Sequence, residues 1–471
     1  MAVSQIEQEP KFNNLPVGQP IVFVISNNDA VTNQSNVKFT AKVFISAAGP
    51  PSFSNINKLI GTFKTTPNDA GVGIFDFRSV VENYVSADNY SSDNAKVQGA
   101  LPTSTNLLDK WPIHIIDEYS KSVDSCRFLK VQFGVEYLDT SQTPPFVQED
   151  VTTLVNSSNF KIINGYLKPD DKLDEDNTSF GYNLVNQFGL ATSSSSFLSN
   201  MPTTLYSNLY DWGVFALYTP SGTAGGFTHV EFKYNWNDGT TSSEDLDRNY
   251  GNGAYSSWGL DASNHILYFG AFPANIQSWS GVLTSKITAG KVKGGSIEIT
   301  VMNGVAVRSK TYTIHINCDE PKGYEPIRLC WLNQWGGWDY WTFTKKSVTS
   351  YSQTPTTWTS LQGSWNHSYY SPFYKGGKRN LTMNTKEKIQ VNTDFIGEEY
   401  NVMFEEMLNS PEVYELTPKN PSTFIKTKTN YIVQPVILLN NTFVKKTRAN
   451  DKLIQYSFEI EKSRTLKTQT I

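Results

Sequence analysis

The sequence is poor in charge and in long apolar runs, and each shortage excludes a class of protein. Charged residues make up 18% of the 471 residues, against a usual ~25%, and the net charge is −4. Because no basic excess creates a field that could hold nucleic acid, we expect no nucleic-acid partner. The longest apolar runs, residues 21–25 and 436–439, are far shorter than the ~20 residues that span a bilayer, so we expect no membrane partner.

Sorting signals and disulfide patterns are missing as well. The N-terminal stretch MAVSQIEQEPKF lacks the charged and then apolar pattern of a secretory signal, so we expect the protein to stay in the cytoplasm until lysis. The three cysteines, Cys126, Cys318 and Cys330, are too few for a disulfide framework. Cys318 and Cys330 could meet across a hairpin, but buried free thiols are the favoured interpretation.

Aromatic residues and alternating patterns are abundant. Aromatic residues form 13% of the chain, and such residues favour pleated, half-buried surfaces. Asn237-Asp238-Gly239 predicts a hairpin turn, and Asn303-Gly304 predicts a type I′ turn with both residues at positive φ. We therefore predict a mainly β protein of several antiparallel β-sandwich or barrel-like domains. Apolar residues alternate with polar ones, as in half-buried strands, over residues 37–45, 131–137, 230–236, 297–316 and 454–461.

Two short helices and two domain boundaries complete the predicted organisation. A helix is expected from Asp76 to Tyr84 and another from about Gly397 to Leu408, because their apolar residues recur at helical spacing. Clusters of turn-forming and charged residues divide the chain into an N-terminal β-domain (1–155), a middle sandwich-like domain (156–320) and a Trp-rich C-terminal domain (321–471).

No segment carries a recognisable catalytic or cofactor-binding motif. The sequence has no nucleophile elbow, HExxH motif, phosphate loop or CxxC pair, and its five histidines are isolated. The acidic segment 170–176 (DDKLDED) lacks the ligand pattern of a calcium loop and is interpreted as a solvated linker. We therefore expect a protein that is not an enzyme and has no cofactor or metal. A hydrolase that uses two carboxylates placed by the fold remains the open alternative.

The segment 327–343, IRLCWLNQWGGWDYWTF, is the most unusual part of the sequence. Gly336-Gly337 predicts a tight reversal, and the strand that follows is aromatic on both faces. Three interpretations stay open: a domain core, an interface between subunits, or a platform on which sugar rings stack. The candidate interface residues here are Trp331, Trp335, Trp338, Tyr340 and Trp341.

Charge is unevenly distributed along the chain. Residues 161–260 carry five basic and eleven acidic residues, whereas residues 421–471 carry nine basic and three acidic ones. An acidic region of one copy could therefore meet the basic tail of its neighbour in a symmetric homo-oligomeric ring. The last strand and the basic residues before it are the candidate contact, through Lys445, Lys446, Arg448, Ile454, Tyr456 and Phe458.

Four stretches together resemble virion structural proteins of tailed bacteriophages that infect Bacteroidota: GIFDFRSVVENYVS (73–86), CWLNQWGGWDYWTF (330–343), FEEMLNSPEVYEL (404–416) and KLIQYSFEIEKS (452–463). The resemblance implies a non-enzymatic tail, collar-ring or baseplate protein, present in multiple copies and joined to neighbouring tail and portal-proximal proteins. Such a protein is found in the virion and is assembled in the host cytoplasm. The alternative is a receptor-binding or glycan-binding tail module that stacks host surface glycans on its Trp and Tyr residues, including those of the loop 358–374.

Overall fold

A computed structural model gives the fold of the protein. The acidic segment 170–176, Cys318, Arg448 and residues 362–374 of the aromatic loop lie outside the described residues. The structure describes residues 2–47, 49–92, 95, 111–141, 143–168, 182–219, 227–247, 266–317, 324–361, 376–418, 431–440, 442, 444–446 and 454–466.

Strands dominate these residues, which confirms the mainly β prediction. In chain order the strands are β1 (Gln5–Gln8), β2 (Asn14–Pro16), β3 (Val22–Ser26), β4 (Ser35–Ser46), β5 (Leu59–Thr65), β6 (Val72–Asp76), β7 (Tyr119–Lys121), β8 (Cys126–Asp139), β9 (Phe146–Asn156), β10 (Phe160–Ile163), β11 (Thr204–Ser207), β12 (Val214–Tyr218), β13 (His229–Asn235), β14 (Thr241–Asp247), β15 (Ile266–Gly270), β16 (Ser296–Asn303), β17 (Ala306–Val307), β18 (Tyr312–Ile316), β19 (Ile327–Leu332), β20 (Trp338–Phe343), β21 (Val348–Ser360), β22 (Gly377–Asn392), β23 (Val413–Pro418), β24 (Tyr431–Leu438) and β25 (Ser457–Lys462).

The helices are short, and both predicted ones are present. The first is α2 (Arg78–Val81) with the 3₁₀ turn Glu82–Tyr84, and Asp76 accepts a hydrogen bond from the first free N–H, that of Arg78 (3.0 Å). The second is the 3₁₀ turn Glu398–Tyr400 followed by α6 (Asn401–Asn409). Among the described residues, four further short helices and two 3₁₀ turns, Ile56–Lys58 and Ile113–Ile115, were not predicted. The α-helices are α1 (Asn28–Asn33), α2 (Arg78–Val81), α3 (Leu184–Phe188), α4 (Pro273–Ile276), α5 (Gly281–Thr288) and α6 (Asn401–Asn409).

The chain divides into two compact units. Unit 1 comprises Met1–Cys318 and Leu332–Asp339, and unit 2 comprises Asp319–Trp331 and Tyr340–Ile471. This division falls close to the boundary expected at residue 320. The structure has no corresponding division near residue 155, because β7 pairs with β15, and β10 pairs with β2 and β8, across the expected boundary.

The first half of unit 1 is built from two sheets that share one core. One sheet has the order β1-β3-β6, and the other has the order β2-β10-β8-β4-β5 with β9 paired to β8. Phe23 of β3 contacts Phe133 of β8 with ring centroids 5.3 Å apart. The residues predicted to face inward in β4 and β8, such as Phe39 and Val131, are fully buried. Alternation therefore identified the buried face of both long strands.

The second half of unit 1 contains a mixed sheet, β11-β18-β16-β13-β14, with β17 paired to β16, and the buried sheet β12-β15-β7. The hairpin predicted at Asn237-Asp238-Gly239 is present, with Gly239 at φ +78°. The predicted type I′ turn is wrong in detail. Asn303 pairs with Ala306, and only Gly304, at φ +58°, has a positive φ, because the loop begins one residue later than expected.

Unit 2 is one seven-stranded sheet with the order β20-β19-β23-β24-β25-β22-β21. Helix α6 packs on this sheet through Phe404, whose ring lies 5.3 Å from that of Phe458. The outermost strand, β21, pairs only with β22 among the described residues. All five described sheets are open.

Candidate functional site

The turn between β19 and β20 is held inside unit 1 by one asparagine side chain. The Oδ1 of Asn333 accepts hydrogen bonds from the main-chain N–H groups of Trp335 and Gly337, both at 3.0 Å. Its Nδ2 donates to the carbonyl oxygen of Leu198 (2.9 Å) and to Oδ1 of Asp339 (2.8 Å). This buried amide accepts two hydrogen bonds and donates two, and together they fix the shape of the turn and its position within unit 1.

The two tryptophans of this turn are anchored by their indole N–H groups. Trp338 donates from Nε1 to the carbonyl oxygen of Asp88 (3.0 Å), and its ring meets that of His114 edge-on at 4.8 Å. Trp335 donates from Nε1 to Oδ1 of Asn200 (3.0 Å). A buried indole needs such a partner, so both rings have one specified orientation.

Only glycine fits at the two central positions of the turn. Gly336 has φ +78°, and a Cβ atom there would lie 1.9 Å from the carbonyl oxygen of Asn164. A Cβ atom on Gly337 would lie 2.4 Å from the carbonyl oxygen of Leu198. The predicted reversal at these glycines is present, and its cause is the close approach of neighbouring backbone as well as the turn itself.

Asp88 is a buried carboxylate that the sequence analysis did not identify. It accepts hydrogen bonds from the N–H groups of Val123 (2.9 Å) and Asp124 (2.6 Å), from the hydroxyl of Tyr268 (2.9 Å) and from the hydroxyl of Ser125. Burial raises the pKa of Asp88, and these hydrogen bonds oppose that increase. Asp88 therefore links Trp338, which binds its carbonyl oxygen, to residues 123–125 and Tyr268, which bind its carboxylate.

Asp339 is the second buried carboxylate of the turn. It accepts hydrogen bonds from the hydroxyl of Ser199 (2.7 Å) and from Asn333 (2.8 Å). Burial raises the pKa of Asp339 to about 6, against the opposing effect of these hydrogen bonds. Asp88 and Asp339 are at most 1% exposed, so neither faces solvent as the carboxylates of a glycoside hydrolase must face their substrate. Their hydrogen bonds give them a role in holding the turn.

The strands on either side of the turn carry the remaining aromatic candidates, which lie in the core of unit 2. The ring of Trp341 meets those of Tyr400 and Phe404 edge-on, at 5.2 and 5.4 Å. The guanidinium of Arg328 lies over the ring of Tyr340 at 5.1 Å. Aromatic and cationic contacts within the unit therefore account for both faces of β20.

The structure supports the core interpretation of the Trp-rich segment. The candidate residues Trp331, Trp335, Trp338, Tyr340 and Trp341 are all at most 8% exposed. A ring that is buried in its own chain offers no face to a sugar and little area to a second copy. These five residues are therefore interpreted as core residues, and neither the interface between subunits nor the platform for sugar rings is assigned to them.

The last strand is also an internal element. Ile454, Tyr456 and Phe458 are buried, and β25 lies between β22 and β24, so both of its edges are paired within the sheet. It offers no open edge to another copy, which the predicted contact would need. Lys445 and Lys446 are exposed, and Lys445 lies 3.8 Å from Glu405. Arg448 is outside the described residues, and the predicted role of the two lysines as contact residues stays a prediction.

The strand pair β21–β22 is the feature that the sequence analysis missed. Every residue of β21 except Ser360 is exposed, and β22 pairs with β25 only over Lys388–Asn392. Apart from a bridge between Thr385 and Leu466, the outer part of the pair is a two-stranded ribbon among the described residues. The two-stranded part comprises residues 351–360 of β21 and, at ~3.4 Å per residue, is about 34 Å long. The sequence signal was available: β21, VTSYSQTPTTWTS, has no charged residue.

The described residues form neither a metal-binding cluster nor a membrane-spanning helix. Within the described ranges, no group of three or more His, Cys, Asp or Glu side chains could hold a metal ion. No helix of the described part of the chain combines the length and the apolar character needed to cross a membrane.

Comparisons with known proteins identify no family. No protein-family model matches the chain, and no curated protein matches it. Among solved structures, E. coli alpha-2-macroglobulin in its native conformation is similar to 82% of this chain at 9% identity and a TM-score of 0.17. The chain spans 22% of the length of that protein. A similarity at this level carries no argument about fold or function.

Proposed function

We propose that the protein is a non-enzymatic structural component that assembles with copies of itself. Following the sequence resemblance, we propose a tailed-bacteriophage virion as its location, and a tail, collar ring or baseplate as its place there, in contact with neighbouring tail proteins. The single observation that carries the assembly proposal is the outer edge of β21.

That edge lacks two of the features by which monomeric proteins prevent strands from pairing with other chains, a short length and charged residues. Exposed edges are usually short, charged or interrupted by bulges, because unpaired N–H and C=O groups recruit further strands. β21 has 13 residues, no charge, and a composition of Thr, Ser, Tyr, Trp and Val that favours strands. Its protective features are Pro355 and a register shift between Thr356 and Thr357, where β22 has one extra residue, Leu381. An isolated two-stranded ribbon is also marginally stable in water, so a further strand would stabilise it.

The glycan-binding alternative gains less support from the same strand. Tyr351 and Trp358 are 59% and 39% exposed and are the aromatic residues of β21. They are seven positions apart, and side chains alternate between faces along a strand, so the two rings lie on opposite faces. One flat stacking surface for a sugar does not result.

The test introduces charge on the edge of β21. Thr354→Lys/Thr356→Lys adds two charges opposite the uncharged Asn384 and Thr382. We expect the parent to form oligomers in sedimentation velocity at high protein concentration, and we expect the variant to be monomeric. The control, Ile56→Lys/Val305→Lys, adds the same charge at two residues that are 75% and 98% exposed, and should assemble like the parent. A monomeric parent, or a variant that assembles as well as the parent, would refute the proposal.

A further inference from the structure

Unit 2 contains an open pocket of about 510 Å³ whose charged lining residues are all lysines. Among the described residues, three lysines and no Asp or Glu line it, together with two tyrosines, an asparagine, a glutamine and a serine. Such a lining selects anions, because each ammonium group gains by pairing with a negative charge. The lining residues are Tyr324, Lys345, Lys346, Asn392, Lys446, Gln455, Tyr456 and Ser457.

One side of the pocket is fixed by a hydrogen-bonded cluster. The hydroxyl of Tyr456 donates to Oδ1 of Asn401 (2.6 Å) and accepts from the main-chain N–H of Lys446 (3.0 Å). Asn401 in turn donates from Nδ2 to the carbonyl oxygen of Lys446 (2.7 Å). The ammonium of Lys446 donates to the carbonyl oxygen of Gln455 (2.7 Å) and lies 5.3 Å from the centre of the Tyr456 ring. This lysine is thus held at the pocket before any ligand binds.

The other two lysines supply charge that the unit does not fully neutralise. Lys345 pairs with Asp394 at 2.8 Å, at a site where both side chains are about half exposed. Asn392 donates to the carbonyl oxygen of Lys346 (2.7 Å), which holds the backbone of that residue at the rim. The Lys346 ammonium forms no ion pair with a carboxylate of the described residues. The pocket therefore keeps an excess of positive charge.

We propose that this pocket binds the acidic segment 170–176 of a second copy of the chain. The segment DDKLDED carries five carboxylates and one lysine, and it is the densest acidic stretch of the sequence. Its charge complements three ammonium groups in one pocket, and complementary charges fix register between subunits. This inference rests on the proposed self-assembly, since it names a second contact between copies, separate from the β21 edge.

The test measures binding of a fluorescent peptide with the sequence of residues 169–177, PDDKLDEDN, to the full-length protein. We expect saturable binding that weakens with salt, and a Kd that is about tenfold higher or more for Lys345→Gln/Lys346→Gln. Lys38→Gln/Lys310→Gln removes the same charge at two exposed lysines elsewhere and should leave the Kd unchanged. A peptide with Asn and Gln in place of its acids should not bind.

The outcomes separate this inference from the proposed function. Failure of the peptide to bind, or equal affinity for both lysine variants, overturns the pocket assignment even when the protein forms oligomers through β21. Binding of the peptide to a protein that stays monomeric at every concentration refutes the proposed function and, with it, the assignment of the bound segment to a second copy. If polyglutamate and a sulfated glycan both bind as tightly as the peptide, the pocket is a general anion site and the assignment to this segment is overturned.

Discussion

The two β-hairpins that follow each other in residues 327–392 have opposite surroundings. The hairpin β19–β20 is buried, and its turn is held by hydrogen bonds that Asn333, Trp335 and Trp338 donate and by one that Asp339 accepts from Ser199. The hairpin β21–β22 exposes both faces of β21 and leaves the outer edge of that strand unpaired among the described residues. Both are rich in aromatic and polar residues, so composition alone does not decide whether a hairpin is buried.

The difference lies in where the partners of each hairpin are found. The turn of β19–β20 meets its donors and acceptors within unit 1, so substitutions there should change the stability of the folded chain. Among the described residues, the outer part of the ribbon contacts the rest of its chain through β22, in contacts that include the Thr385–Leu466 bridge and the ion pair of Lys386 with Glu461. Substitutions on β21 should therefore change assembly and leave folding unaffected. Four measurements test this separation, in order of decreasing expected effect on stability.

The largest effect is expected for Gly336→Ala. An added Cβ atom would overlap the carbonyl oxygen of Asn164 at 1.9 Å, and the residue would also be strained at φ +78°. Gly239→Ala is the matched control, because Gly239 has the same φ of +78° but no atom within 4 Å of its added Cβ. We expect about 1 kcal/mol of destabilisation for the control and about 4 kcal/mol or more for Gly336→Ala, measured by urea unfolding. Equal losses would show that the turn is not closely packed.

The second effect depends on pH and is tested with Asp339→Asn. Because burial raises the pKa of Asp339 in the folded state to about 6, the folded state binds this proton more tightly than the unfolded state. The protonated Asp339 side chain therefore contributes its full stabilisation of the folded state below about pH 4, and this contribution is lost as the pH rises through about 6. Asn cannot ionise, so the variant should gain stability relative to the parent between pH 4 and pH 7, by roughly 2–3 kcal/mol. A difference that stays constant over this range would contradict the role of burial.

The third effect compares one tryptophan from each hairpin. Trp338→Phe removes the hydrogen bond to the Asp88 carbonyl and part of the contact with His114, and should cost about 2 kcal/mol of the free energy of unfolding. Trp358→Phe changes a residue that is 39% exposed, and should alter stability by less than about 0.5 kcal/mol. Similar losses in chemical denaturation would mean that the ribbon is as closely packed as the turn.

Local patterns predicted much of this architecture, because a buried strand face repeats every two residues. Alternation placed Phe39 and Val131 correctly in the core, and helical spacing located α6. The same patterns found the Trp-rich hairpin and included the core among its interpretations. These patterns gave correct predictions wherever the periodicity of a single strand or helix decides which residues are buried.

Long-range contacts were beyond such patterns. Asn333 binds a carbonyl 135 residues away, and the hydroxyl of Tyr268 binds Asp88 across 180 residues. No periodicity marks an asparagine or aspartate for these roles. The pairing of β7 with β15 likewise joins segments that the predicted boundary near residue 155 had separated. The lysine pocket combines residues from five separate stretches of unit 2, so only the fold brings its charges together.

The smallest effect on stability, and the sharpest test of the comparison, concerns Thr354→Lys/Thr356→Lys on β21. Both threonine side chains are exposed and face uncharged residues of β22. At a protein concentration too low for assembly, the free energy of unfolding of this variant should therefore lie within about 0.5 kcal/mol of the parent value. At high concentration the two should differ, because association stabilises the folded chain by mass action. The Tm of the parent and of Ile56→Lys/Val305→Lys should then rise with concentration, whereas that of the β21 variant should stay constant. A variant that is less stable even when dilute would show that the ribbon supports the fold of its own chain, and the contrast between the two hairpins would no longer hold.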